Sequence, residues 1–484
     1  MHAHPSGSSA GRPVGRSLAL AAGSALLPGL AHWVAGRRRA AVTIFALAVL
    51  LFVSLVALAL STSRVELLRL AVRPSWLAAV IGGSLAVALA WVVLVTASYR
   101  VLGPVRPAGL VQAGAVLVLA VLSLLVAAPP VAVARYAYLQ RDLITDLFAD
   151  DPSGGLAAGG GSGSADPFAG RDRVTVLLLA SDAGPDRTGT RTDSIVAASI
   201  DPRTGDVVLL SLPRNLQEIP LPPGPLREAW PDGFPDLLNG VYEQATERPG
   251  LLAGHRDRGA EAVKQVVSYI LGIPIDYYAM VDLAGFERFV NALGGVTVTV
   301  TERLPIGGLT ASGARVRPVG YIEPGTQRLD GSKALWYARS RRDSTDYDRM
   351  IRQRCLIGAM VRQAEPLTVL KHFQELASAT KKLAATDIPR SVLPDLVTLG
   401  ERMHQGNKIR SIAFVPPVIA TGNPDYAKIR RLVQRAMAPA PAVTPAPKPT
   451  ASTPHPTASA TPRSTATPRA TADAVDVDST CGIG

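Results

Sequence analysis

Tyr337 to Arg354 reads YARSRRDSTDYDRMIRQR, gathering six arginines and three aspartates into 18 residues of a chain that is 48% hydrophobic. A charge run is ordinarily the solvated face of a helix. Here the spacing sets the charges on common faces. If the chain is helical from Asp346 into the apolar run MIRQRCLIGAMV, then Asp346, Arg349 and Gln353 stand at i, i+3 and i+7 and share one side. Arg339 and Arg341 are two apart, so in an extended segment they too point the same way. Guanidinium groups stay charged, and their planar forks match phosphate oxygens in pairs. The cluster therefore suits a phosphate-rich ligand, and Arg342, Arg352 and Arg354 read as solvated or structural.

The elements that must position this cluster lie in a chain of 484 residues with a formal net charge of +12. Its apolar weight is at the front. Residues 41–60, 77–95 and 110–132 are long and apolar enough to span a bilayer as helices. Residues 18–35 are broken by Pro28 and Gly29 and read as a re-entrant or interfacial segment rather than a removable signal peptide. Seven arginines lie before the first span or after the second, against three between them, which favours a cytoplasmic N-terminus. Three spans then put everything beyond 135 outside the cytoplasm. This predicts a multi-pass protein of the cell membrane, with residues 1–135 as an all-α transmembrane region.

Residues 136–170 are a connector with a Gly/Ser-rich linker, 171–437 have the composition of one α/β domain, and 438–484 form a Pro/Thr/Ala-rich tail expected to be disordered. Cys355 and Cys481, the only two cysteines, imply no disulfide framework or metal cluster and read as incidental. Within the domain, RVTVLLLAS, SIVAASI and VVLLSL read as strands, the last two antiparallel across the turn DPRTGD. GAEAVKQVVSYILGI and LAGFERFVNAL read as helices, and DYYAMVD and GGVTVTVT as further strands. The alternation predicts a mixed sheet flanked by helices.

Six motifs carry a resemblance in order and spacing: LLLASD, TRTDSIVAASIDP, LLSLPRN, ILGIPIDYYAMVDLAGFERFVNALGGVTV, LDGSKALWYARSR and DYDRMIRQR. Together they resemble the LytR-CpsA-Psr family of bacterial envelope enzymes, from about Val174 to at least Arg362. The resemblance implies transfer of a glycan polymer from a polyprenyl-pyrophosphate carrier to peptidoglycan through a phosphodiester bond, with pyrophosphatase activity on the side. It implies pyrophosphate-binding residues at Arg191, Arg214, Arg339, Arg341, Arg349 and Gln353. Asp182 and Asp193 would hold Mg2+ or another divalent cation, with Asp346 in support. The catalytic set is then Asp193, Arg214, Arg339 and Arg341, with Asp193 favoured as general base.

The chain departs from the family pattern at Asn215, where an acidic residue is common, at Ala180 in ASD, and before Asn239, where a basic residue is often found. These departures touch the metal site and the acceptor preference, not the matched arginines. The resemblance also favours an internal lipid pocket, although the Val, Ile, Leu and Phe of AVKQVVSYILGI and FERFVNAL equally suit an ordinary core. The alternative from another class is a non-catalytic envelope regulator that holds polyprenyl phosphates without turnover. A nucleic-acid partner is not expected, since an outward-facing domain meets no chromosome and no aromatic-interleaved basic patch is visible.

Overall fold

In the computed structural model the chain separates into two compact units, residues 1–145 and 146–484. The structure describes residues 13–102, 109–148, 168, 170–181, 191–308, 314–363, 384–405, 408–438, 474–477 and 481.

The first unit is all helical: α1 (Val14–Leu26), α2 (Leu30–Val34), α3 (Arg38–Ser61), α4 (Arg64–Ala71), α5 (Pro74–Val101) and α6 (Leu110–Leu147). The three expected spans fall in α3, α5 and α6, each long and apolar enough to cross a membrane. At most 11% of the most apolar window of each is buried by protein, so the apolar side chains face outward. α6 runs past the expected end at 132, through Pro129 and Pro130, because the RYAYLQRDLITDL that follows still favours helix. The segment at 18–35 is two helices broken around Gly29. That glycine has φ +95°, and a Cβ there would lie 2.6 Å from the Ala41 carbonyl oxygen.

The second unit is built on a seven-stranded sheet of order β11-β10-β3-β2-β1-β4-β9. Its strands are β1 (Val174–Ser181), β2 (Thr192–Ile200), β3 (Val207–Leu212), β4 (Tyr277–Val281), β9 (Ala384–Thr386), β10 (Ile409–Ala413) and β11 (Val475–Asp476). β1, β2 and β3 pair antiparallel as the turn signal predicts, while β4 joins β1 and β10 joins β3 in parallel. The sheet is thus mixed. One face (Leu177, Leu179, Ile195, Ala197, Val208, Leu210) packs into the main core under α9 (Arg258–Leu271) and the helix Tyr426–Met437. Ala260, Ala262, Val263, Val266, Val267, Ile270 and Leu271 of α9 are buried in that core. Asp257 caps α9 by accepting from the Ala260 amide at 3.0 Å, and Gly272 ends it in the left-handed conformation at φ +69°.

A second core gathers beside the sheet. It packs α10 (Leu283–Ala292), α11 (Gly331–Arg339) and α12 (Asp346–Gln363) with two ribbons, β5 (Val296–Val300) with β8 (Gly325–Leu329), and β6 (Leu304–Ile306) with β7 (Gly320–Ile322). GGVTVTVT is therefore a strand, in a ribbon apart from the main sheet.

Two expectations need correcting. Cys355 and Cys481 are joined by a disulfide, and neither is incidental. The tail is also not wholly outside the fold: Val475–Asp476 pairs antiparallel with the edge strand β10, and Val477 is 1% exposed. Composition spoke for the Pro/Thr/Ala run, whereas VDV at its far end has β-branched residues able to complete a sheet edge.

Candidate active site

The sheet brings the site together where β1 and β3 end and β2 begins, the end of parallel strands at which α/β folds gather their loops. On β2, the register against β1 slips between Ala180 and Ser181: Ser194 faces Ala180 and Thr192 faces Ser181, leaving Asp193 as the extra residue. Such a bulge re-aims a side chain off the pleat. Arg214 lies two residues past β3, its carbonyl accepting from the Asn239 amide at 3.1 Å.

The aspartate and arginine meet. Arg214 Nη1 donates to Asp193 Oδ1 at 2.6 Å, and its Nη2 lies 3.5 Å from Asp346 Oδ1. Asp346 opens α12, and its Oδ2 is 3.0 Å from Arg349 Nη2, one turn on along the same face. Arg341 Nη1 completes the set at 3.7 Å from Asp346 Oδ1. The helix expected from Asp346 is present, and Asp346 and Arg349 of its predicted face meet the rest of the site.

Three guanidiniums against two carboxylates leave this cluster with net positive charge. Only 4% of the Arg349 side chain is exposed, and burial pushes its guanidinium below arginine's usual range, with Asp346 opposing. Arg214 and Arg341 press in the same direction as burial, and Asp193 opposes them, so the five groups act on one another. Among the described residues, Arg349 Nε and Asp346 Oδ1 are buried without a hydrogen-bond partner. Buried polar atoms are seldom left so. The arrangement favours an anion that adds acceptors at the arginine side.

The remaining expected residues are placed as follows. Arg339 is the last residue of α11, not part of an extended segment, because the helix begun at Asp330 runs that far; its guanidinium lies 5.6 Å from the Trp336 ring centre. Arg191 pairs with Glu243 at 3.2 Å and Asp236 at 3.7 Å. Gln353 Nε2 donates to the Ala338 carbonyl at 3.3 Å, tying α12 to α11. Asp182 follows β1 directly in the chain and lies outside the described residues.

Arg352, which reads as merely structural in the sequence, is buried and grips the loop that carries Arg341. Its Nε donates to the Tyr337 carbonyl at 2.9 Å, and its Nη2 to the Ser340 carbonyl and, at 3.1 Å, to Ser344 Oγ. Among the described residues no three His, Cys, Asp or Glu side chains come together to hold a metal. Asp193 is engaged by Arg214, and Asp182, expected to hold the metal with it, lies outside the described residues.

This fold and site define an α/β domain with a net-positive, arginine-lined centre, carried on the same chain as three membrane-length helices. The chain belongs to the LytR_cpsA_psr family, whose model matches residues 156–426. It is 28% identical over 247 residues to "Biofilm regulatory protein A" of Streptococcus mutans, covering 49% of this chain and 56% of that protein. It is 30% identical over 223 residues to "Polyisoprenyl-teichoic acid--peptidoglycan teichoic acid transferase TagU" of Enterococcus faecalis (45% and 62% covered). It is also 28% identical over 313 residues to "Cell wall biosynthesis protein LcpA" of Corynebacterium glutamicum (57% and 54% covered). The chain thus spans 54% to 62% of the length of these relatives. Among solved structures it resembles B. subtilis TagV (TM-score 0.39, 22% identity, 54% of this chain and 96% of that one). It also resembles "TagT bound to LIIa-WTA" (TM-score 0.40, 23% identity, 58% and 96%).

Proposed function

We propose that this protein transfers a glycan polymer from a polyprenyl-pyrophosphate carrier to peptidoglycan, forming a phosphodiester bond. The observation that carries the reading is the continuous ion-pair chain Asp193–Arg214–Asp346–Arg349 with Arg341 at its side. Family membership and the names of the relatives support the substrate class.

In this reading the guanidiniums of Arg214, Arg341 and Arg349 hold the oxygens of the pyrophosphate, with Arg191, Arg339 and Gln353 closing in when the ligand binds. The acceptor hydroxyl oxygen attacks the phosphorus attached to the glycan. The bond from that phosphorus to the bridging oxygen breaks, and polyprenyl phosphate leaves with the electron pair. Asp193 accepts the hydroxyl proton. Because charge builds on the bridging and leaving oxygens, catalysis rests on positioning and neutralisation, which a preorganised arginine set supplies without reorganising. A divalent cation, Mg2+ by preference for carboxylate and phosphate oxygens, belongs to the proposal: Asp193 and Asp182 would hold it, and it would neutralise phosphate charge.

The domain is proposed to lie outside the cytoplasm, in a multi-pass protein of the bacterial membrane. The arginine bias around the spans supports that orientation, and so does the Cys355–Cys481 disulfide, since such bonds persist in oxidising compartments. A strip of half-buried apolar residues on the sheet face away from the main core, Leu178 and Ala180 with Ala279 and Val281 across the ladder, suits a prenyl chain.

The test uses the full chain in detergent with Mg2+ and a polyprenyl-pyrophosphate-linked glycan, following release of polyprenyl phosphate. Turnover in the wild type that is lost in Asp193→Ala and Arg214→Ala supports the reading. Tight lipid binding with no turnover under any divalent metal would replace it with the carrier or regulator.

A further inference from the structure

The ion-pair chain accounts for the arginines of the site and leaves three further oxygens beside it without partners. The turn Leu238–Gly240 lies against the loop that carries Arg214: the Asn239 amide donates to the Arg214 carbonyl at 3.1 Å, and the Leu238 amide to the Leu216 carbonyl at 3.0 Å. The same turn packs on β2, and Asp236 and Glu243, which flank it, both pair with Arg191 at the start of that strand. Asn239 is thus fastened beside both halves of the Asp193–Arg214 pair. It is only 5% exposed, and its Oδ1 is buried with no hydrogen-bond partner among the described residues. The same holds for Asn215 Oδ1, next to Arg214 in the chain, and for Thr192 Oγ1, next to Asp193 and fully buried. Buried polar atoms are seldom left so.

A phosphate does not complete these atoms. Guanidiniums only donate and suit ionised phosphate oxygens, which only accept; a carboxamide oxygen needs the opposite, a ligand O–H or N–H. Mg2+ binds chiefly through carboxylates and phosphate oxygens, so neutral carboxamides are weak claimants for it. Sugar hydroxyls both donate and accept, and they match two carboxamides and a threonine hydroxyl alike.

We infer that Asn239, with Asn215 and Thr192, holds hydroxyls of an acceptor sugar beside Asp193. That this sugar belongs to peptidoglycan rests on the transfer reading. A ring fixed through neighbouring hydroxyls presents another to Asp193, which orients the attack without adding charge to the site.

The test reads binding and turnover separately on the full chain in detergent. A fluorescent tetrasaccharide of the peptidoglycan glycan chain is titrated by anisotropy, and radiolabelled polyprenyl phosphate by equilibrium binding. Asn239→Ala and Asn215→Ala should each weaken the tetrasaccharide about tenfold. Polyprenyl phosphate affinity and the thermal midpoint should stay unchanged, since neither carboxamide oxygen makes a bond within the fold. Tetrasaccharides lacking one hydroxyl at a time supply a measurement on the wild type alone. One of them should bind about tenfold more weakly than the parent, and Asn239→Ala should cost that analogue nothing further. A wild type that ignores the tetrasaccharide or every missing hydroxyl would overturn the inference. So would tetrasaccharide affinity unchanged in both variants, or a lowered thermal midpoint, which would make the residues structural. An equal loss of polyprenyl phosphate affinity would give the carboxamides to the donor, and recovery of tetrasaccharide binding at raised Mg2+ would give them to the cation. Tetrasaccharide binding that depends on Asn239 without any turnover upholds the sugar site and sinks the transfer reading instead.

Discussion

Asp346 and Arg349 stand one helical turn apart at the start of α12, joined Oδ2 to Nη2 at 3.0 Å, with the arginine almost wholly buried and the aspartate half open to its neighbours. The carboxylate makes the buried charge tolerable and at the same time receives Arg214 and Arg341. Asp346→Ala leaves that guanidinium buried without its near partner and should cost about 3 kcal/mol of folding free energy. Asp346→Asn, which keeps an acceptor, should cost less. Denaturant titration of both variants, in detergent, ranks them; equal losses would mean that volume rather than charge matters at this position.

Arg214 spans two aspartates with two different nitrogens, a task its planar fork performs and a lysine cannot. Arg214→Lys should leave stability within about 1 kcal/mol, since the side chain is partly exposed, while polyprenyl phosphate release falls about a hundredfold. Initial rates set beside melting curves separate the two effects. A lysine variant with wild-type turnover would reduce Arg214 to a point charge.

The disulfide ties α12 to the end of the tail across a sequence separation of 126 residues. Cys355→Ser, Cys481→Ser or a thiol reductant should each lower stability by about 2–4 kcal/mol, and the reductant should have no further effect on either serine variant. Thermal midpoints with and without reductant decide this.

Arg354, the residue before Cys355, meets Ser411 Oγ at 3.1 Å, and burial pulls its guanidinium down to about 10. The folded state thus binds this proton less tightly than the unfolded chain. The resulting penalty is in force below that pH and is relieved as pH rises through it. Arg354→Met should therefore stabilise by about 1 kcal/mol near neutral pH, and the gain should shrink in alkaline buffer. Denaturant midpoints across that range test the sign.

Gly331 opens α11, where a Cβ would fall 2.0 Å from the Glu287 carbonyl oxygen. Gly331→Ala must push α10 and α11 apart and should cost about 2 kcal/mol. Since α11 ends at Arg339, it should also lower turnover, which the release assay would show.

Much of this was legible in the sequence because the signals were local. Three uninterrupted apolar stretches and the turn at DPRTGD each act within a few residues. The i, i+3 spacing of Asp346 and Arg349 announced their contact for the same reason. What escaped was long-range. Nothing near Arg191 names Glu243 as its partner, 52 residues on, and nothing near Cys355 names Cys481. Arg352 is structural, one of the two readings its sequence allowed, but which carbonyls it serves was not legible, because the Tyr337 and Ser340 carbonyls lie in a preceding turn.

The strand at Val475–Asp476 also changes what the Pro/Thr/Ala stretch between Met437 and Ala474 is. Both of its ends are fastened, one by the helix that closes the main core and the other by the edge ladder and the Cys355–Cys481 bond. A protease that cuts it once releases nothing: two fragments stay joined through sulfur and separate on a gel only after reduction.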